Sequence, residues 1–421
     1  MSLQGPILVI SDRPDRKIVT ALSAAGAFPV VESTLAEAAD AITRVEPAAV
    51  LFADADVVPV QSVADTLMDA IDAVPAPFMP VVARAAECGA TILDVLPIKA
   101  DAPSEQIVAR LGAALRVRLL HATVLRRIDT LRSNGAEVPD LPATDPLDEA
   151  TVMVTGRGRT YPALSTAVGE RVGLIGALSV ETAAHHLNNR DIDGIIIGEG
   201  FGQSTVSAFL TALTSDSRFR DLPVAVACEL PPGTDRGRIA CLEPVDGEPE
   251  DIVAHMLPMV RVHAFSSRLR RHAATLDARG MIDPQTGLLT AAAFQRDLPK
   301  AVRDAHQHGT PMSMARFAFP AGLARRTRTD VARLASRLIR NADFARQEED
   351  GTIVVVFAGS GLHQAHIVTR RIASVMRHTV LDRTLEDGPL RPMVTLAALK
   401  AADTPESLLA RVSEATTVAA E

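Results

Sequence analysis

The chain contains no tryptophan and one tyrosine, Tyr161, and aromatic residues make up 3% of its 421 positions. Its cores must therefore be filled by Ala, Val, Leu and Ile. Cysteine is equally scarce: Cys88, Cys228 and Cys241 are odd in number and far apart. That excludes a disulfide framework and the close Cys/His spacing of a metal site, and it suits small buried hydrophobes in a reducing cytoplasm. No apolar run approaches the ~20 residues that span a bilayer. The opening MSLQGPILVISDRPDR also lacks the basic-then-apolar order of a secretory signal. A cytoplasmic protein with no membrane partner is expected. Excess positive charge is missing too. A formal net charge of -8 argues against non-specific nucleic-acid binding as the main activity.

What is present is ordinary globular material, 47% hydrophobic and 22% charged, in a chain long enough for two to four domains. Residues 6 to 10 form a short apolar run ending at Ser11-Asp12. Next come a helical pattern over Lys17 to Ala25, the run Phe28-Pro-Val-Val31, a helix over Leu35 to Val45 and the run Ala48 to Phe52 before Asp54. Strands alternating with helices in this way predict a doubly wound parallel sheet. The rhythm returns with Val152 to Val154, Val172 to Ile175, Gly194 to Ile197 and Leu222 to Val226. Between the two halves, Ser133 to Pro146 is rich in Pro, Asp and Gly and reads as a linker.

Each half ends in a long helical stretch. The first, about Glu105 to Leu131, carries Leu111, Leu115, Leu119, Val124, Ile128 and Leu131 near helical spacing. The second, about Pro249 to Ala278, holds the basic cluster Arg268, Arg270, Arg271 and His272. Such a cluster is usually a solvated face. The sharper reading is a signalling helix that joins the second half to the C-terminal third and helps pack a dimer.

With Asp12 after the first strand and Asp54 after the third, the first half resembles the receiver domain of two-component signalling. The resemblance implies a CheY-like fold with Asp54 as phosphoacceptor, clustered carboxylates serving as nucleophile and cation holders. Several family positions differ: Ser11 stands in the first acidic position, Ala83 replaces the switch Ser/Thr, and Leu96-Pro97 with a displaced Lys99 stands for Lys-Pro. Asp54 stays a candidate phosphoacceptor on one reading and a remnant on the other. In the second half Thr155-Gly156 replaces the acidic pair and Gly198-Glu199 ends the third strand, so this half reads as a structural adaptor.

From Met281, the run Met-Ile-Asp-Pro-Gln-Thr-Gly-Leu-Leu-Thr-Ala-Ala-Ala-Phe294 resembles the entry of GGDEF (diguanylate cyclase) domains, with Asp283, Thr286, Gly287, Leu288 and Phe294 in place. Asp and Thr bond the local backbone, and Gly permits the tight turn into a helix. The likeness extends to Val412. As a whole, the chain resembles the PleD/PopA-like response regulators: two receiver domains followed by an α+β GGDEF domain of cyclase palm-like fold. The implied boundaries are 1–132, a linker at 133–148, 149–272 and 273–421.

Family cyclases hold divalent metal on two carboxylates and admit the nucleotide past hairpin glycines. Here the first strand, Met314 to Phe319, has lost both Asp positions, and the next segment shortens to Ala321-Gly322-Leu323. In the hairpin Gln347 to Thr352, Glu349-Asp350 fall at the two glycines and Gly351-Thr352 at the acidic pair. An Asp-Gly turn explains that stretch better than a relocated metal site. No catalytic residue, metal ligand or cofactor is assigned.

A second family site is retained. Arg340-Asn341-Ala342-Asp343 matches the R-x-x-D inhibitory site that binds the product, cyclic di-GMP. A guanidinium bonds guanine O6 and N7 or a phosphate, and a carboxylate accepts from the N1-H and N2-H edge. Arg371 matches the site's additional Arg, and Arg303 is a further candidate whose alignment is off by one. On the preceding helix, Val331, Leu334 and Leu338 form the expected core face; Arg333, Arg337 and Arg340 lie opposite, where a plain solvated face competes with a binding face. The expectation is a catalytically inactive effector that binds cyclic di-GMP at Arg340, Asp343, Arg371 and Arg303, forms a homodimer and engages protein partners. A ligand-independent scaffold and a residual cyclase are the alternatives. No helix-turn-helix segment comes after the receiver-like halves to support a DNA-binding output.

Overall fold

A computed structural model of the chain describes residues 5–13, 15–27, 29–54, 61–74, 78–85, 95–133, 135–143, 145–236, 239–320, 322–379 and 390–414. Phe28, Cys88 and Ala321 lie outside the described residues.

The first half contains β1 (Ile7–Ile10), α1 (Arg16–Ala24), β2 (Val30–Ser33), α2 (Ala38–Val45), β3 (Ala49–Phe52), α3 (Gln61–Ala73), β4 (Val81–Ala85), β5 (Leu96–Lys99) and α4 (Ser104–Arg132). Its sheet is parallel throughout, in the order β2-β1-β3-β4-β5. The four residues of β1 and the four of β3 are all buried, as parallel strands covered on both faces require. Asp15 starts α1 by accepting from the Lys17 and Ile18 amides, satisfying donors the first turn leaves open.

The second half repeats the plan with β6 (Thr151–Thr155), α5 (Tyr161–Gly169), β7 (Gly173–Ala177), α6 (Val180–Asn189), β8 (Gly194–Ile197), α7 (Gln203–Ser215), β9 (Val224–Val226), β10 (Leu242–Pro244) and α8 (Pro249–Leu276). Read from its other edge, the order β10-β9-β8-β6-β7 is that of the first sheet, and all its pairs are parallel. Its fifth strand has only three residues, too few for the apolar rhythm to mark. Both sheets have the doubly wound order in which ligands bind at the carboxyl ends of the strands.

The C-terminal portion differs. It contains α9 (Ala291–Gln307), β11 (Met312–Ala318), α10 (Arg325–Leu338), β12 (Phe344–Gln347), β13 (Ile353–Ala358), α11 (Leu362–His378), β14 (Met393–Ala398) and α12 (Pro405–Glu414). Its sheet is antiparallel, in the order β12-β13-β11-β14. Phe317, Ile353, Val355, Phe357, Ile372 and Met376 form part of one core with Val331, Ala332 and Ala335 of α10. The inward face of α10 is therefore centred on small residues, and the expected core positions Leu334 and Leu338 are only half-buried. Alanine at 332 and 335 lets the helix sit close to the sheet and pushes the longer leucines to the margin.

Contacts group the chain into two compact units: residues 6–118 with 142–268, and residues 119–141 with 269 onward. Helix α4 contributes residues to both. Within the first unit its Arg110 is 1% exposed and its Nη2 donates to Glu243 Oε1 at 2.5 Å, while Nε donates to the Ala240 carbonyl at 2.7 Å. His255 also meets Glu243, 3.4 Å away. Within the second unit, Arg126 Nε donates to Asp297 Oδ1 on α9 at 3.0 Å, both side chains being buried. Among the described residues no helix is long and apolar enough to cross a membrane.

Removing one member of a buried ion pair strands the other charge, at a cost of about 3–5 kcal/mol. Asp297→Ala should lower the stability of the second unit by that amount in urea unfolding, with a larger loss than Arg126→Met/Asp297→Leu, which removes both charges. Equal losses would mean that packing, not the stranded guanidinium, sets the cost.

Candidate functional site

Entry into the C-terminal sheet is built by the Asp283 turn. Asp283 Oδ1 accepts from the Gln285 amide at 3.0 Å and Oδ2 from Thr286 Oγ1 at 2.8 Å, while its carbonyl accepts from the Gly287 amide at 2.8 Å. Leu289 N then donates to the Ala345 carbonyl at 2.8 Å, fixing the turn beside β12, and Thr290 caps α9. Arg333, expected on a solvated face, donates Nε to the Gln285 carbonyl at 2.7 Å and so ties α10 to this turn.

The β12–β13 hairpin satisfies itself. Glu348 N donates to the Thr352 carbonyl at 2.8 Å, and Gly351 N to the Glu348 carbonyl at 2.9 Å. Gly351 has φ +93°, and a Cβ there would lie 2.5 Å from Arg328 Cδ, so this turn demands glycine. Asp350 accepts from both the amide and hydroxyl of Thr352, at 2.8 and 2.9 Å. Arg316 of β11 approaches the same turn, 3.5 Å from Thr352 Oγ1 and 3.9 Å from Asp350. Glu348 pairs with Arg346 at 2.8 Å. The carboxylates of Glu348 and Asp350 are thus engaged locally, in the Asp-Gly turn that the sequence predicts.

A cavity of about 160 Å³ opens where α10 ends and β12 begins, lined by Arg127, Arg270, Asp277, Arg340, Asn341 and Asp343 among others. Arg340 and Asp343 form a closed turn: Asp343 N donates to the Arg340 carbonyl at 3.0 Å, and Arg340 N to Asp343 Oδ2 at 3.4 Å. The Arg340 side chain is exposed, whereas Asp343 is only 4% exposed and its Oδ1 makes no hydrogen bond of ordinary geometry. Burial drives the Asp343 carboxyl up to about 7, with the Arg340 and Arg371 charges and the Arg340 and Ala358 amides pulling the other way.

Arg371 stands on α11, donates Nη2 to the Leu338 carbonyl at 3.2 Å, and lies close enough to act on Asp343 without lining the cavity. Arg303 is exposed on α9, where its charge acts on Asp304. The structure does not bring it to the cavity, because the part of α9 that touches the rest of the unit presents Phe294, Asp297, Leu298 and Ala301 instead.

Sequence reasoning did not bring Arg127, Arg270 or Asp277 to this cavity, and the structure does. Arg127 of α4 is 5% exposed; its Nη1 donates to Asp277 at 2.9 Å, its Nη2 lies 3.5 Å from the Asn341 carbonyl, and its Nε is unpartnered. The run Val124-Leu-Arg-Arg-Ile128 held the available signal: two arginines inside an apolar stretch with no polar face to carry them. The basic cluster of α8 does not form one solvated face. Arg268 pairs with Glu149 at 2.5 Å, Arg270 lines the cavity, and His272 is buried. Burial, then the charge of Arg279, lowers the His272 pKa.

In the first half, Asp54 Oδ1 accepts from Ser11 Oγ at 2.9 Å and Oδ2 from the Asp12 amide at 2.7 Å. The Asp12 carboxylate turns to the Leu35 amide at 3.1 Å, and Arg84, bonded to the Ala53 carbonyl, lies 3.6 Å from Asp15. The acidic residues are therefore dispersed onto separate partners. At the matching edge of the second sheet the chain fills its own crevice: the Arg157 and Gly158 amides both donate to the Glu199 carbonyl, at 2.8 and 3.0 Å. A Cβ on Gly158 would lie 2.4 Å from Glu199 Cβ, so the two segments are in close contact there. Cys241 is buried and Cys228 half-buried; both are free thiols, and burial raises both pKa values.

No family model and no curated protein sequence matches the chain. Solved structures do. The chain is similar to the coiled coil and GGDEF domain of DgcB from Caulobacter crescentus in complex with c-di-GMP, at 18% identity and TM-score 0.30, over 36% of this chain and 85% of that one. It is similar to the FimX GGDEF domain from Pseudomonas aeruginosa at 16% identity and TM-score 0.29, over 32% and 89%. Diguanylate cyclase SiaD from Pseudomonas aeruginosa, in complex with its activator SiaC, is matched at 16% identity and TM-score 0.31, over 36% and 62%.

The buried carboxyl makes a pH prediction. A carboxyl at about 7 in the folded protein and about 3.9 unfolded binds more protons when folded between those values, so its contribution falls as pH rises. The stability difference between wild type and Asp343→Asn should therefore change between about pH 4 and pH 7 and be flat above, with wild type losing ground as pH rises. Chemical denaturation at a series of pH values measures it; a difference independent of pH would show that Asp343 ionises normally.

Proposed function

We propose that the chain is a non-catalytic signalling protein that binds cyclic di-GMP at the Arg340–Asp343 cavity and acts as an effector or scaffold for protein partners, as a homodimer. The observation that carries this reading is the cavity itself. It sets a buried carboxylate oxygen without a partner beside the Arg340 turn, with Arg371 nearby. Guanine presents two N–H donors for the carboxylate, while its O6 and N7, or a phosphate, take the guanidinium. The hairpin supports the non-catalytic part: Arg316 stands beside the turn, and Thr352 occupies the Asp350 carboxylate, where a cyclase needs free carboxylates for metal. The shared doubly wound order favours reading the two N-terminal halves as receiver-like domains, with Asp54 the candidate phosphoacceptor and the second half an adaptor.

Calorimetric titration of the purified chain with cyclic di-GMP should give micromolar or tighter binding that Arg340→Ala abolishes. Because the ligand bonds the ionised carboxylate, affinity should rise with pH toward about 7 and level off above. No binding by wild type would leave a ligand-independent scaffold. Turnover of GTP with Mg²⁺ would identify a residual cyclase.

A further inference from the structure

The cavity has a wall that the four-residue motif does not supply. Arg127 comes from α4, more than two hundred positions earlier in the chain, yet two of its nitrogens meet groups of this site: Asp277 on one side and the backbone of Asn341, inside the motif, on the other. Its Nε is buried without a partner. Leaving a buried guanidinium nitrogen unpaired is unfavourable, because desolvated charge is normally paired and hydrogen-bonded.

Its placement is rigid. The neighbouring Arg126 is fixed to Asp297 and stacks 5.0 Å above the ring of Phe344, the residue after Asp343. Phe344 in turn packs against Phe294 of α9, with ring centroids 5.6 Å apart. The backbone of α4 at 126–127 is thereby held against the segment that carries Asp343. A binding group is most effective when its supporting shell fixes it in advance.

Size narrows what can enter. At about 160 Å³ the cavity is well below the range of roughly 300–1,000 Å³ that takes a drug-sized ligand. It suits one purine base rather than a whole dinucleotide, the remainder lying outside by the exposed Arg340.

We infer that Arg127 is a ligand-binding residue of this cavity, which reads the O6/N7 edge of one guanine while Asp343 accepts from its N1-H/N2-H edge, and that Asp277 holds Arg127 from its other side while its negative charge limits the affinity. The inference rests on the reading of the cavity as a cyclic di-GMP site. Asp277 holds the guanidinium by its Nη1 side and places a carboxylate beside a dianionic ligand, which it repels. Nε and Nη2, the edge not held by Asp277, present the parallel pair of donors that suits O6 and N7, Nη2 giving up only its 3.5 Å contact with the Asn341 carbonyl. The assignment gives the two neighbouring carboxylates opposite effects: Asp343 favours the ligand and Asp277 opposes it.

That opposition separates binding from bracing. In calorimetric titrations of the full chain, Arg127→Ala should weaken cyclic di-GMP binding by about tenfold or more, as loss of a hydrogen bond from a charged group does. Asp277→Asn, which removes the repelling charge and keeps an acceptor for Nη1, should strengthen it by a factor of about three to ten. Arg127→Ala should also narrow the preference for cyclic di-GMP over cyclic di-AMP, since adenine offers a donor where guanine has O6. If Arg127 only braces α4 against Asp277, both variants lower stability and neither tightens binding; weaker or unchanged binding by Asp277→Asn overturns the inference, even where Arg127→Ala fails to fold. Wild-type binding that is lost in Arg340→Ala but unchanged in Arg127→Ala removes the role of Arg127 alone. No binding by wild type removes the functional reading with it.

Discussion

The arginines of α4 impose the constraint on which both units depend. Arg110, Arg126 and Arg127 are each 6% exposed or less, on a helix whose other buried residues are mostly Leu, Val, Ile and Ala. A guanidinium cannot lose its proton to escape burial, so a carboxylate or carbonyl must come to it. Glu243 meets Arg110, Asp297 meets Arg126, and Asp277 meets Arg127. Each partner sits on a different element: β10, α9, and the wider turns Asp277–Met281 that continue α8. Such pairs add little net stability compared with apolar packing, but each mismatched arrangement would strand a charge. Their effect is to dictate which segments lie against α4.

In the C-terminal unit the same pairing determines where the cavity forms. Arg126 locates α9 and, through its ring contact, the start of β12; Arg127 locates the end of α8 and the 340–343 turn. The cavity lies within this set of contacts, so its polar walls come from three separated stretches of chain. Asp343 is buried as a consequence, and its raised pKa comes from that burial acting against nearby positive charge.

Much of the fold was legible because it derives from short-range periodicity. The apolar runs at 6–10, 48–52 and 194–197 are buried on both faces as central parallel strands, and the long helical stretches form α4 and α8. Leu242–Pro244 was not legible, since three residues closing a sheet carry no pattern of their own. Nor was the inward face of α10, where Ala332 and Ala335 pack against the sheet and hydrophobicity alone favours the leucines. At the cavity, the sequence motif leads to Arg340 and Asp343, which line it, and to Arg371, which stands on α11 near Asp343 without lining it. Arg303 shared the residue type but not the geometry. Arg127 and Asp277 are paired across 150 positions, and no local rule connects them; only the absence of a polar face on Val124 to Ile128 hinted that charge there would be buried.

The two places where carboxylates cluster in this unit differ in how far the protein satisfies them. Around the β12–β13 turn, Asp350 takes two bonds from Thr352 and Glu348 takes Arg346, so these two carboxylates are engaged within the turn. At the cavity, Asp343 Oδ1 and Arg127 Nε are buried with no partners of their own. Leaving a buried polar group unpaired costs about 1–3 kcal/mol, more for a charged one. A cavity that keeps a donor and an acceptor apart gains by receiving a molecule that offers both, as the guanine edge of the proposed ligand does.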